Sequence, residues 1–164
     1  LRSCTIVEVL WQKLMNGEID FVTSDHAPWP LENKTRPNIF DNESGVPGVE
    51  LLLQLLYSEG VAKRGMDIKT AVQLVSEAPA RRFGLYPKKG AIRVGADADI
   101  VVLDPRAKWR FSADKSYSSA KWSPYDGMEV TGRVVTTIVR GQAIYDGKEV
   151  FGKPGWGRFV GRVI

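Results

Sequence analysis

Ile6, Val9, Leu10 and Leu14 recur at the spacing of one helix face, and Gly17 stands where such a helix would end. Thr5, three residues before Glu8, has the form of a capping box and places the helix start at Thr5. Ile19, Phe21 and Val22 then make a short apolar run bounded by Gly17 and Pro28. That pattern predicts a buried strand over 19–23 whose C-terminal end opens into a loop. Residues 29–48, with Pro30, Pro37, Pro47, two glycines and scattered charge, predict a long structureless connection. Connections of that length are usually functional or mobile. From Val49, residues Leu52, Leu53, Leu56 and Tyr57 trace an amphipathic helix ending near Gly60. A second helix begins near Asp67 with Ile68, Ala71, Val72 and Val75 on its apolar face, and Pro79 and Gly84 bracket a third, very short one.

The pattern changes after Lys88-Lys89-Gly90. Residues 95–99 (Gly-Ala-Asp-Ala-Asp) predict a turn, and 100–103 a strand ending at Asp104-Pro105. A β-branched run over 134–139, the turn Arg140-Gly141 and the return 142–145 predict a hairpin. Asp146-Gly147 signals another before Glu149-Val150-Phe151. The chain thus divides into an α/β segment, 1–90, and a β-rich segment, 91–164.

Composition narrows the class. At 164 residues with 43% apolar and 26% charged side chains, the chain is globular in type, and it begins without Met, as a piece of a longer polypeptide would. No apolar run reaches bilayer-spanning length, which argues against a membrane partner. The lone Cys4 excludes an internal disulfide and fits a reducing cytoplasm. The net charge of +4 is spread out, with pairs only at Arg81-Arg82 and Lys88-Lys89, so no nucleic-acid footprint is formed.

The chemistry-bearing stretch is Phe21-Val22-Thr23-Ser24-Asp25-His26-Ala27-Pro28. In parallel α/β folds, strand C-termini are where chemistry is placed. Asp25 there either holds a metal or takes a proton from water, or it caps the next turn with His26 solvated beside it; the local pattern leaves both open. Ser44-Gly45-Val46-Pro47-Gly48 precedes a helix and offers backbone groups to a ligand, because glycine permits close approach. Taken alone, the segment is better explained as a tight turn into the helix.

These motifs together carry a resemblance. Ser24-Asp25-His26-Ala27-Pro28, then Gly45-Val46-Pro47-Gly48-Val49-Glu50, then Gly95-Ala96-Asp97-Ala98-Asp99-Ile100-Val101, resemble in this order the C-terminal third of the cyclic amidohydrolases: hydantoinase (dihydropyrimidinase), allantoinase and dihydroorotase. Pro124-Tyr125-Asp126-Gly127-Met128 and Val139-Arg140-Gly141 look like the family's closing motifs. The resemblance implies the last part of a (β/α)8 TIM-type barrel, followed by the C-terminal strands of a small β-sandwich built from both chain ends. It implies that Asp25 is a ligand of a two-metal centre, with zinc the expected metal, and shuttles a proton from the metal-bound hydroxide to the leaving nitrogen of a small cyclic amide. Ser44 and Gly45 would contact that substrate through their backbone, and His26 would orient Asp25 from behind. Relatives are commonly homo-oligomers, and the apolar tail from Trp156 to Val160 suits either a neighbour or simple packing.

The likeness also sets limits. The family's other ligands are histidines and a carbamylated lysine upstream, and this chain has one His. A barrel takes about 250 residues, so the chain is expected to be an inactive fragment of a larger hydrolase. Trp29 stands where dihydroorotases carry a histidine for the substrate carboxylate, which disfavours that alternative; Ser44 stands where hydantoinases usually have asparagine. A non-catalytic scaffold or binding protein of the same fold is the competing class.

Overall fold

The structure, a computed structural model, describes residues 3–162. Helix α1 (Cys4–Met15) is capped by Ser3, whose Oγ accepts from the Ile6 N–H at 3.5 Å. The expected capping box at Thr5 is therefore not used: Thr5 lies inside the helix, and Glu8 turns to Arg64, whose Nε donates to it at 3.2 Å. That pairing holds the Glu8 carboxyl below its usual range, while Arg64 also lies 4.9 Å over the Trp11 ring. Asn16 closes the helix and Gly17, at φ 77°, turns the chain out as expected.

The strand expected over 19–23 is not formed. The Val22 N–H donates to the Leu74 carbonyl at 3.0 Å, and the only pairing nearby is a one-residue parallel bridge from His26 to Val46. A parallel strand needs a neighbouring strand to supply its ladder, and among the described residues none flanks this segment. The connection after it is not structureless either. It contains 3₁₀ turns at Leu31–Lys34 and Ile39–Asp41. Asn42 braces them, accepting from the Arg36 N–H at 2.8 Å and donating to the Arg36 and Asn38 carbonyls at 3.0 Å each.

A 3₁₀ turn (Val49–Leu51) leads into α2 (Leu52–Leu55), which widens into a π-helical continuation (Leu56–Ala62). Asp67 caps α3 (Ile68–Val72), accepting from the Thr70 N–H at 3.2 Å. The two further helices expected from the sequence are one rod, α3 running through a π segment (Gln73–Glu77) into α4 (Ala78–Arg82). Pro79 brings no N–H to the ladder, and the π turn just before it accommodates the gap without breaking the rod. Gly84, at φ 70°, ends it.

Strands β1 (Ile100–Arg110), β2 (Glu129–Val139) and β3 (Gln142–Tyr145) form an antiparallel sheet in the order β1-β2-β3. β1 does not stop at Asp104-Pro105: the register slips between Asp104 and Lys108, and an edge strand tolerates the proline there. Arg140 (φ 47°) and Gly141 (φ 80°) make the expected two-residue turn between β2 and β3. At the second expected hairpin, Asp146 Oδ1 accepts from the Lys148 and Glu149 N–H groups at 2.9 Å, Tyr145 bridges Val150, and the Phe151 N–H donates to the Ile144 carbonyl at 2.9 Å.

Two cores hold these elements. Leu14, Leu56, Met66, Ala71 and Leu74 join the helices, while Leu51, Phe111 and Ala113 join the start of α2 to the segment after β1. The helix–sheet seam is polar as well as apolar. Gln54 Oε1 accepts from the Val134 N–H, and Ser58 Oγ from the Thr131 N–H, each at 3.0 Å. At Gly132 (φ 88°) a Cβ would lie 2.4 Å from Tyr57 Cδ1, so only glycine lets the sheet come this close to the helix. An open cleft of about 730 Å³ remains between helices and sheet, walled by Leu53, Val72, Ile100, Ile144 and Tyr145. Ile6 (48% exposed) and Leu10 (44%), predicted to face the core, lie at the surface of α1. Among the described residues no helix is long and apolar enough to cross a membrane.

The acidic motif at 95–99 proves to be structural. Asp97 takes salt bridges from Lys88 at 2.8 Å and Lys89 at 2.9 Å, and the hydrogen bonds from these two ammonium groups lower its carboxyl to about 2. Asp99 pairs with Lys89 and accepts from the Arg140 N–H at 2.8 Å. The tail folds back on that same turn, with Arg140 4.6 Å over the Trp156 ring and the Trp156 indole donating to the Val139 carbonyl at 3.2 Å. Phe159 beyond it is exposed.

Candidate functional site

The Asp25-His26 loop and the Ser44–Gly48 turn, separated by some twenty residues in sequence, lie against each other. The Ala27 N–H donates to the Val46 carbonyl at 3.1 Å, alongside the His26–Val46 bridge. Gly45 sits under the loop at φ 81°, where a Cβ would lie 2.6 Å from Ala27 Cβ. No other residue type fits that contact. Asp25 itself has φ 46°, a left-handed conformation that Asp tolerates better than most side chains. Its side chain is exposed at the apex of the loop.

His26 is half-buried and turned the other way. Its Nδ1 accepts from the Gly48 N–H at 3.0 Å and from the Val49 N–H at 3.3 Å. The expected orienting bond from His26 to Asp25 is not present; the imidazole holds the turn into α2 instead. A cavity of about 170 Å³ opens beside it, walled in part by Glu50, Tyr117 and Trp122. Burial raises the Tyr117 hydroxyl above its usual range, with Tyr145 and Glu50 adding to the effect.

Several residues around this turn carry no local sequence signal. Lys34 donates through Nζ to the Gly45 carbonyl at 2.8 Å and also to that of Glu43. Ser123 Oγ donates to the Pro47 carbonyl at 3.0 Å, and Glu50 accepts from the Tyr117 N–H at 2.9 Å. The Trp122 indole donates to the Trp29 carbonyl at 2.7 Å. The segment 116–125, from the β-rich part of the chain, thus clamps both site loops. In the Pro124–Met128 motif Tyr125 lies against Gly48, while Asp126 Oδ1 accepts from the Ala113 N–H at 2.8 Å and closes the connection between β1 and β2.

Asp25 and Ser44 are exposed, Gly45 lies against the Asp25–Ala27 backbone, and His26 is half-buried. Among the described residues no three His, Cys, Asp or Glu side chains gather into a metal-holding group. Asp25 offers a hard carboxylate donor, which fits one corner of a divalent-ion site but does not make one alone.

A model of the amidohydrolase family matches residues 5–144. The chain belongs to the amidohydrolase family. An L-hydantoinase of Paenarthrobacter aurescens is 38% identical over 164 residues, which is 99% of this chain and 36% of that protein. An allantoinase of Bacillus licheniformis is 36% identical over 160 residues, covering 98% of this chain and 35% of its own. A crystal structure of a D-hydantoinase superposes with a TM-score of 0.95 at 35% identity, over 99% of this chain and 36% of that one. The chain therefore spans about a third of the length of these relatives. Its α/β content with a small antiparallel sheet is the one their structures share, and the enzymes so named are cyclic amidohydrolases.

Proposed function

We propose that this amidohydrolase chain is the C-terminal portion of an enzyme opening a small cyclic amide of the hydantoin, dihydropyrimidine or allantoin type. The observation that carries the reading is the apposition of the Asp25 loop and the Gly45 turn, through the Ala27–Val46 bond and the contact that only glycine permits. It sets the loop that carries the exposed Asp25 against the Ser44–Gly45 backbone, of which Lys34 takes the Gly45 carbonyl. Asp25 would accept the proton of the attacking water and return it to the leaving ring nitrogen. The backbone at Ser44 and Gly45 would hold the ring. Asp25 would also supply one oxygen to a pair of divalent ions, zinc being the natural choice, whose remaining ligands lie outside this chain. When bound, such ions activate the water and polarise the amide carbonyl.

In this reading residues 1–90 complete a (β/α)8 barrel and 91–164 supply part of a β-sandwich. The missing ladder at 19–23, the exposed apolar side of α1 and the cleft beside the sheet support it, since barrel and sandwich neighbours would cover all three. Trp29, 41% exposed, presents an apolar face and an indole rather than a cation, which suits an uncharged ring substituent over the carboxylate of dihydroorotate.

Expression of the complete polypeptide tests this directly. Roughly two divalent ions per subunit, with hydrolysis of hydantoin, dihydrouracil or allantoin that Asp25→Asn lowers by about 10³-fold or more, is the expected result. A metal-free, inactive complete protein would instead make it a scaffold of the same fold. Retained turnover in the Asp25→Asn enzyme would remove Asp25 from the chemistry.

A further inference from the structure

We propose that His26 is a positioning residue for substrate binding: its Nδ1 anchors the Gly48 and Val49 N–H groups and so fixes the Ser44–Gly45 rim, rather than steering Asp25. This rests on the cyclic-amide reading above. The two accepted bonds, 3.0 and 3.3 Å, span 22 and 23 residues of sequence and are the only side-chain bonds to those amides among the described residues. Gly48 stands at φ −169° and ψ −2°, between Pro47, whose carbonyl accepts from Ser123 Oγ, and the first turn of the helix, where its own carbonyl accepts from the Leu51 N–H at 3.1 Å; its N–H goes to His26. The opposite end of the turn is tied by Lys34 through the Gly45 carbonyl and by Val46 through Ala27. The turn from Gly45 to Val49 is thus held at both ends, with Ser44 next to the first tie, and a ligand that bonds to the backbone at Ser44 and Gly45 forgoes part of the entropy cost of ordering it.

A nitrogen that accepts two N–H groups carries no proton, so the geometry asks for an acceptor at the δ position and nothing from Nε2. Asparagine places an oxygen close to that position; glutamine places its amide nearer to Nε2. In the complete enzyme, His26→Ala is expected to raise KM by roughly tenfold with kcat changed far less, the signature of lost uniform binding. His26→Asn is expected to restore KM to within about threefold of the parent, and His26→Gln to behave as the alanine variant. Hydrogen exchange of the peptide carrying Gly48 and Val49 should accelerate in the alanine and glutamine variants and return toward the parent rate in the asparagine variant. A fall in kcat at constant KM, or rescue by glutamine and not asparagine, would overturn the assignment. The Asn and Gln pair carries the test even where the alanine variant does not fold. If the parent enzyme hydrolyses no cyclic amide, the functional reading fails, and the exchange pattern still decides whether His26 anchors the turn.

Discussion

At Gly45 the chain tolerates one residue type for two independent reasons: φ is 81°, and a Cβ would come within 2.6 Å of Ala27 Cβ. Gly45→Ala is therefore expected to destabilise the chain by about 1–3 kcal/mol, because a left-handed alanine is strained and the two loops must separate. A urea titration should show a lower midpoint at unchanged slope. An unchanged midpoint would mean that the loops are not in contact. Gly17, with open space around it, isolates the backbone contribution, and the difference between Gly45→Ala and Gly17→Ala reads out the contact alone. The sequence names Asp25, His26, Ser44 and Gly45 as candidates, but not which of them point together. The loop of Asp25 packs against Gly45, while His26 bonds to the α2 turn. A register of hydrophobic and polar positions says nothing about the side to which a loop imidazole rotates, since the amides it bonds are over twenty residues away.

Between elements, the seam of α2 and β2 depends on two side chains that a hydrophobic pattern passes over. Ser58 is fully buried and accepts the Thr131 N–H; Gln54 is buried and accepts that of Val134. Both amides lie where β2 pairs irregularly with β1, so helix side chains take the place of strand partners. Ser58→Ala leaves a donor without its acceptor and is expected to cost about 1–3 kcal/mol, whereas an exposed serine such as Ser119 should change little on the same substitution. Thermal melts of the two variants check this, and equal melting temperatures would show that the Ser58 bond contributes nothing net. The strand expected at 19–23 fails at this same scale. Ile19 and Val22 are packed on the helical core, as the apolar run demands, yet apolar packing does not create a ladder without neighbouring strands.

For the molecule as a whole, the join between the helical and β-rich segments runs through Asp97 and Asp99, with Lys88 and Lys89 on the other side. Asp97, lowered to about 2 from 3.8, contributes stability that is fully present above the unfolded value and is lost as pH falls through the folded one. Acid unfolding between about pH 4 and 2 should thus become shallower in Asp97→Asn, a difference that vanishes below both values. Lys89 is pulled down by its own burial, but Asp99 and Asp97 outweigh that and leave it raised. Leu10 bears on the larger assembly. Exposed in this chain, Leu10→Lys should alter its stability by no more than about 0.5 kcal/mol. If a longer polypeptide covers α1, as the proposed barrel would, the same change there should cost about 2 kcal/mol or more. Denaturant titrations of the two proteins, with and without the substitution, make the comparison; equal small effects would remove α1 from any covered interface.

Helical periodicity, glycine at helix ends and β-branched runs alone determined α1, the α2 region, α3 and the β2–β3 hairpin, since these patterns act through neighbours a few residues apart. The ordered motifs likewise carried the family. Tertiary structure decided the rest: the absence of a ladder at 19–23, the merging of α3 with α4, the passage of β1 beyond Pro105, and the turning of His26 onto the Gly48 turn. Each depends on which distant groups meet, and hydrogen bonds between residues far apart in the chain are satisfied in space, not along the sequence.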